Sequence, residues 1–130
     1  MRGVQSGLRW WIITIVVEHE HSLQKATCQR FGAVFMSVAP REIVGIALPT
    51  LGLKPLNALR HPPEGSTCGW YIWGGGEFEE SEDFFQPLHA GHLIHYCPEL
   101  LPYLGLGPGW RVLLAPEHED VWFDSKLLNA

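Results

Sequence analysis

The sequence predicts an α+β domain, a single unit with a largely antiparallel sheet and one or two short helices. Three observations carry that expectation. The 130 residues are 46% hydrophobic and 18% charged, which suits one compact domain with its own core. Short β-branched and aromatic runs recur between turn signals, Gly69–Trp73 being the clearest. Helical and extended stretches alternate irregularly, without the repeated strand–helix–strand order of a parallel sheet.

Arg2 and Arg9 precede the apolar run Trp10–Val17, the order of a signal peptide. That run has only eight residues and meets Glu18-His19-Glu20-His21, so it is too short to span a membrane. Residues 1–21 therefore read as an N-terminal extension or first strand, and 22–130 as the folded domain. Ser22 is placed to cap a helix over Leu23–Phe31, with Gly32 as its stop. Ala33–Val38 and Ile43–Leu48 read as strands separated by Ala39-Pro40-Arg41. Leu53–Ser66, with Pro55, Pro62, Pro63 and Gly65, reads as largely irregular.

Gly69–Trp73 should alternate, Trp70 and Ile72 on one face, Tyr71 and Trp73 on the other. Gly74–Gly76 ends it, and Glu77–Asp83 follows as a solvated loop with five carboxylates in seven residues. Pro87 suits the start of a helix whose apolar face is Ala90, Leu93, Ile94 and Cys97. Pro98 and Pro102 break any longer helix and leave a single helical turn over Glu99–Leu104. Gly105–Gly109 is a turn-rich connection. Trp110–Ala115 and Val121–Asp124 complete the sheet as strands joined by a loop over Pro116–Asp120.

Charge is unevenly distributed. Residues 1–76 carry seven Lys/Arg against four Asp/Glu, and residues 77–130 carry two against ten. The acidic half repels phosphate backbones, which argues against nucleic acid as a partner. It would attract a basic protein and speed the encounter. Three scattered cysteines, Cys28, Cys68 and Cys97, form no C-x-x-C pair and fit reduced thiols in the cytoplasm.

Chemistry-bearing patterns are sparse. His89, His92, His95 and Cys97 suggest a metal cluster, but helical phase turns His92 and His95 away from the face holding Cys97. No metal or cofactor is expected. No nucleophile elbow occurs, and a Cys68–His61 pairing rests on residue type alone. Gly105–Gly109 lacks the spacing and the following helix of a phosphate cradle. No catalytic residue is expected. The remaining signal is aromatic, with Trp70 and Trp73 beside the carboxylates Glu77, Glu79, Glu80, Glu82 and Asp83. Together these residues are the expected partner-binding set, since exposed aromatics concentrate at protein interfaces.

Longer stretches carry a resemblance. They are Leu59-Arg60-His61-Pro62-Pro63-Glu64, Thr67-Cys68-Gly69-Trp70-Tyr71-Ile72-Trp73, and Asp83-Phe84-Phe85-Gln86-Pro87-Leu88-His89 with His92-Leu93. Cys97-Pro98-Glu99, Tyr103-Leu104-Gly105-Leu106, Pro108-Gly109-Trp110-Arg111 and Glu119-Asp120-Val121-Trp122-Phe123-Asp124 extend it. From about Ser22 to Asn129 the chain resembles the bacterial immunity-protein family numbered thirty-three, formerly a domain of unknown function. The resemblance implies a small cytosolic α+β protein of a polymorphic toxin system, which binds and blocks a cognate protein toxin. It supplies no catalytic residues. The alternatives are a binding module unconnected with a toxin and, less favoured, a small hydrolase or metalloenzyme.

Overall fold

A computed structural model describes residues 19–77 and 83–129; the expected strand within Trp10–Val17 and most of the acidic run lie outside them. Residues 19–31 are helical (α1). Ser22 therefore sits within α1 rather than capping it, and the helix crosses the expected junction between residues 21 and 22. Gln24, Thr27 and Cys28 are its buried stripe, at the spacing of one helical face. Gly32 stops the helix as expected. Its φ is +69°, and Ala33 N–H returns to the Cys28 carbonyl at 2.8 Å, the closure that favours glycine.

Among the described residues six strands come after α1: β1 Ile43–Ile46, β2 Leu56–Arg60, β3 Thr67–Gly74, β4 Gln86–His89, β5 Trp110–Ala115 and β6 His118–Phe123. They form one sheet in the order β4-β1-β3-β2-β5-β6. Only the β1–β3 pairing is parallel; the other four are antiparallel. The α+β class with a mostly antiparallel sheet is thus what forms.

Several expected elements are corrected. Ala33–Val38 makes no strand, only a bridge between Phe35 and Leu106, because it faces a chain that is turning rather than extended. Leu53–Ser66 is not irregular throughout. Its prolines flank β2 instead of interrupting it, and β2 pairs on both sides, with β3 and β5. Pro87 lies in β4, at the sheet edge, where a missing N–H is tolerated. The helix after it, Ala90–His95, is a 3-10 helix. Three residues per turn align Ala90 with Leu93, so those two are buried while Ile94 is 47% exposed. The helical turn expected near Glu99 forms as the 3-10 helix Pro98–Tyr103. The last hairpin is tighter than expected, with β6 starting at His118 and only Pro116 and Glu117 in the turn.

Alternation in the strands divides the core in two. Val44, Ile46, Leu56, Ala58, Trp70, Ile72 and Val112 pack together with Cys28, Leu93, Cys97, Leu100 and Leu104, so the helices cover that face. A smaller cluster on the other side joins Ala47, Leu59 and Trp73 to Leu127 of the 3-10 helix Ser125–Asn129, with Tyr71, Phe84 and Phe85 packed against it. The expected alternation of Trp70 and Ile72 against Tyr71 and Trp73 is observed.

Arg60 ties the two halves of the larger core together. The residue is 1% exposed. Nε donates to Cys68 O at 3.0 Å, and Nη1 to Met36 O at 2.9 Å, Leu106 O at 2.8 Å and Leu104 O at 3.3 Å. The group also lies 5.7 Å from the centre of the Trp70 ring, a cation–π distance. Burial holds its pKa below the usual arginine value, and oriented carbonyl dipoles take the place of a carboxylate.

Candidate functional site

The second face of the sheet carries the surface that the sequence marks for a partner. Gly45 on β1 leaves room for the Tyr71 ring, since a Cβ there would stand 2.7 Å from Tyr71 Cδ1. Tyr71 meets Phe85 edge-on at 5.2 Å between ring centres, and Phe85 meets Phe84 at 4.9 Å. His61 stacks edge-on against Tyr71 at 5.6 Å, with its Nδ1 3.1 Å from Leu127 O. Such edge-to-face pairs add to ordinary burial and fix ring orientation. Tyr71, Phe84 and Phe85 are each half-buried, while Glu77 and Asp83 at the ends of the acidic run are exposed.

The predicted set is only partly brought together. Trp70 is enclosed in the larger core, its Nε1–H donating to Leu104 O at 3.1 Å. Trp73 points to the opposite face, is 3% exposed, and donates its Nε1–H to Gly76 O at 2.7 Å. The first tryptophan supports the sheet, and the second pins the glycine turn leading to Glu77. Glu79, Glu80 and Glu82 lie outside the described residues. The aromatic surface beside the acidic run comes instead from Tyr71, Phe84 and Phe85. Their signal was present, in the period of β3 and in the paired phenylalanines after Asp83.

A cleft of about 600 Å³ opens at the other side of the molecule, lined by Lys54, Leu56, Glu99, Tyr103, Leu114 and the turn running from Ala115 to Glu119. Glu119 anchors its wall, pairing with Arg30 and accepting the Tyr103 hydroxyl proton in a hydrogen bond. The Arg30 guanidinium, then the Tyr103 hydroxyl, hold the Glu119 carboxyl below its usual range. Burial, reinforced by Glu119, pushes the Tyr103 phenol up to about 12. The network joins residues 89 and 16 positions apart, so nothing local in the sequence announced it.

His89, His92 and His95 form an exposed file, with successive ring centres 6.1 Å and 6.5 Å apart. Cys97 is buried beneath them, its thiol pushed up to about 12 by burial. Among the described residues no group of three His, Cys, Asp or Glu side chains is placed to hold a metal ion. Cys68 lies in the larger core, whereas His61 packs on the opposite face, so the two do not pair. Burial raises the Cys28 and Cys68 thiols as well, which opposes thiolate chemistry. No described helix is long and apolar enough to cross a membrane.

Fold and surface together define a small α+β domain with α1 and the two central 3-10 helices over one sheet face and an aromatic patch beside the last 3-10 helix on the other. A family model described as the Imm33-like domain matches residues 23–124. The chain belongs to the Imm33-like family. Comparison with curated proteins and with solved structures gave no match.

Proposed function

We propose that this chain is a non-enzymatic immunity protein that binds a bacterial toxin and blocks it inside the producing cell. The supporting observation is the family match over residues 23–124. The docking face in this reading is the run Glu77, Glu79, Glu80, Glu82 and Asp83 together with Tyr71, Phe84 and Phe85. Carboxylates at its rim would guide a basic toxin in, and half-buried rings would supply the apolar contact that slows release. Trp70 and Trp73 serve as the scaffold behind that face.

Co-expression with a toxin, sought among the gene's immediate neighbours, is the direct test. Cells carrying both should grow, and the two proteins should leave a sizing column as one complex. Death of the co-expressing cells, with both proteins present and soluble, would overturn the reading. The cleft by Tyr103 favours a second reading, a small-ligand binding module, because its size is that of ordinary ligand sites. In that case no neighbouring toxin would be neutralised.

A further inference from the structure

Among the described residues the sheet ends in two edges that differ. β4 closes one side with four residues, and Pro87 among them has no backbone N–H. β6 closes the other side with six residues, no proline and regular pairing to β5 along its length. The turn-flanking pair Ala115 and His118, and the Asp124 N–H bond to Gly109 O at 2.7 Å, fix its hydrogen-bond phase. Even-numbered residues bond to β5, so Glu119, Val121 and Phe123 turn their backbone N–H and C=O groups outward. An edge of this kind is a template for another strand unless something blunts it. The Glu119 charge does little to blunt it, because Arg30 and Tyr103 draw the carboxylate back onto the helix side.

The side chains decide which strand fits. Val121 packs against the larger core, so Glu119, Val121 and Phe123 share the helix-bearing face, and Asp120 and Trp122 share the other. Phe123 is 50% exposed, and beside it a groove of about 380 Å³ runs past Val34, Met36, Pro108 and Trp110. Val34 is 81% exposed. An apolar strip continuous with an open edge suits the addition of a strand. Two copies of β6, antiparallel about a twofold axis at Val121, are self-complementary. Val121 then faces itself, and each Glu119 faces Phe123 of the second copy. These residues exchange both backbone bonds with their opposites, so no outward group of the strand is left over. On the other face Asp120 lies opposite Trp122, whose indole N–H is a donor for a carboxylate. Moving the axis one residue towards the turn sets Asp120 opposite Asp120, and one residue further sets Glu119 opposite Glu119; both pairs repel. Moving it the other way leaves Glu119 opposite Ser125, beyond the strand. We infer that β6 is a homodimer edge, joining two chains into one continuous sheet through the Val121 twofold. Tyr71, Phe84 and Phe85 lie towards the β4 side, on the other sheet face, so the joint leaves the proposed docking face clear.

The test uses the full chain. Equilibrium sedimentation at high micromolar concentration should give the mass of two chains. Phe123→Glu, a change at a half-exposed ring, should return it to the mass of one while the far-UV spectrum stays that of a folded sheet. Cys28, Cys68 and Cys97 are buried, so a new thiol at the edge can be read by itself. In Val121→Cys the facing α-carbons stand about 5.5 Å apart, within disulfide reach, and mild oxidation should link most of the protein into covalent dimers. Phe123→Cys is the control for register, because its α-carbons would be roughly 14 Å apart across the axis and should not link. A monomer at that concentration, a dimer untouched by Phe123→Glu, or linkage that is absent at position 121 or equal at position 123 would overturn the proposal. No toxin enters these measurements, so the dimer and the toxin-binding reading fail separately.

Discussion

Gly69 shows how a single position constrains the sheet. Its φ is +97°, and a Cβ added there would stand 1.8 Å from the His61 carbonyl oxygen. That contact is with backbone, so no side-chain rotation relieves it. Gly69→Ala should cost about 3 kcal/mol or more, combining left-handed strain with a displaced strand end. Gly32→Ala is the matched control: φ is +69° but nothing lies within 4 Å, so only about 1 kcal/mol should be lost. Urea unfolding of both variants measures the difference; equal losses would show that the His61 contact is not a constraint. Arg60 makes a second prediction. Arg60→Met takes the guanidinium donors from Cys68 O, Met36 O and Leu106 O, while Leu104 O keeps Trp70 Nε1–H, and about 3 kcal/mol should be lost. Arg60→Lys should recover little, because an ammonium cannot reproduce the planar fork that reaches Cys68, Met36 and Leu106 at once. Full stability in either variant would remove Arg60 from its place at the centre of the core.

The β5–β6 hairpin closes through Pro116 and Glu117, and Glu117 has a φ of +59°. Left-handed backbone is costly for a side-chain-bearing residue and free of that cost for glycine. Glu117→Gly should therefore stabilise the fold by up to about 1 kcal/mol, read as a higher urea midpoint. The same hairpin carries Glu119, and its network with Tyr103 gives the stability a pH dependence at both ends. Glu119 has a lowered folded pKa, so its contribution is present above the ordinary glutamate value and fades as acid protonates it. Tyr103 has a raised one, so its contribution is complete below the ordinary value near 10 and is lost as pH climbs towards about 12. Titration of phenolate absorbance in wild type and Tyr103→Phe should show one late phenol disappear with the substitution; an unchanged profile would contradict the burial of Tyr103. Elements of this kind differ in how far sequence reveals them. β3 and β5 were legible because a period of two in apolar residues is a local signal. β2 was not, because Pro55 and Pro62 bracket a five-residue strand whose identity comes from its neighbours on both sides. The segment from Pro87 to Cys97 reads as one helix because apolar spacing over so few residues cannot separate a 3-10 turn from an α-helix. At the candidate site the acidic run and the phase of Tyr71 were legible, whereas the burial of Trp73 and the Arg30–Glu119–Tyr103 network depend on contacts between distant segments.

Across the whole molecule the charges separate, with residues 77–130 holding ten carboxylates against two cationic side chains. Charges of this kind at an interface rim act mainly on the encounter, through a field that reaches about 8–10 Å near physiological ionic strength. Rings that become buried in a complex act mainly on its lifetime. The docking face proposed here contains both, so its two halves should be separable by kinetics against the cognate toxin. Replacing Glu79, Glu80 and Glu82 together by glutamine should slow association several-fold at low salt and leave dissociation nearly unchanged. The difference should shrink as salt is added. Phe84→Ala removes a half-buried ring that packs on Phe85 at the outer side of the smaller cluster. It should raise the dissociation rate instead, by the order of thirtyfold that about 2 kcal/mol represents. An unchanged association rate for the triple variant at low salt would mean that the acidic run is solvated surface taking no part in recognition. The cognate toxin would then have to be held elsewhere on the domain, and the Phe84→Ala result alone would decide whether the aromatic half of the face still takes part.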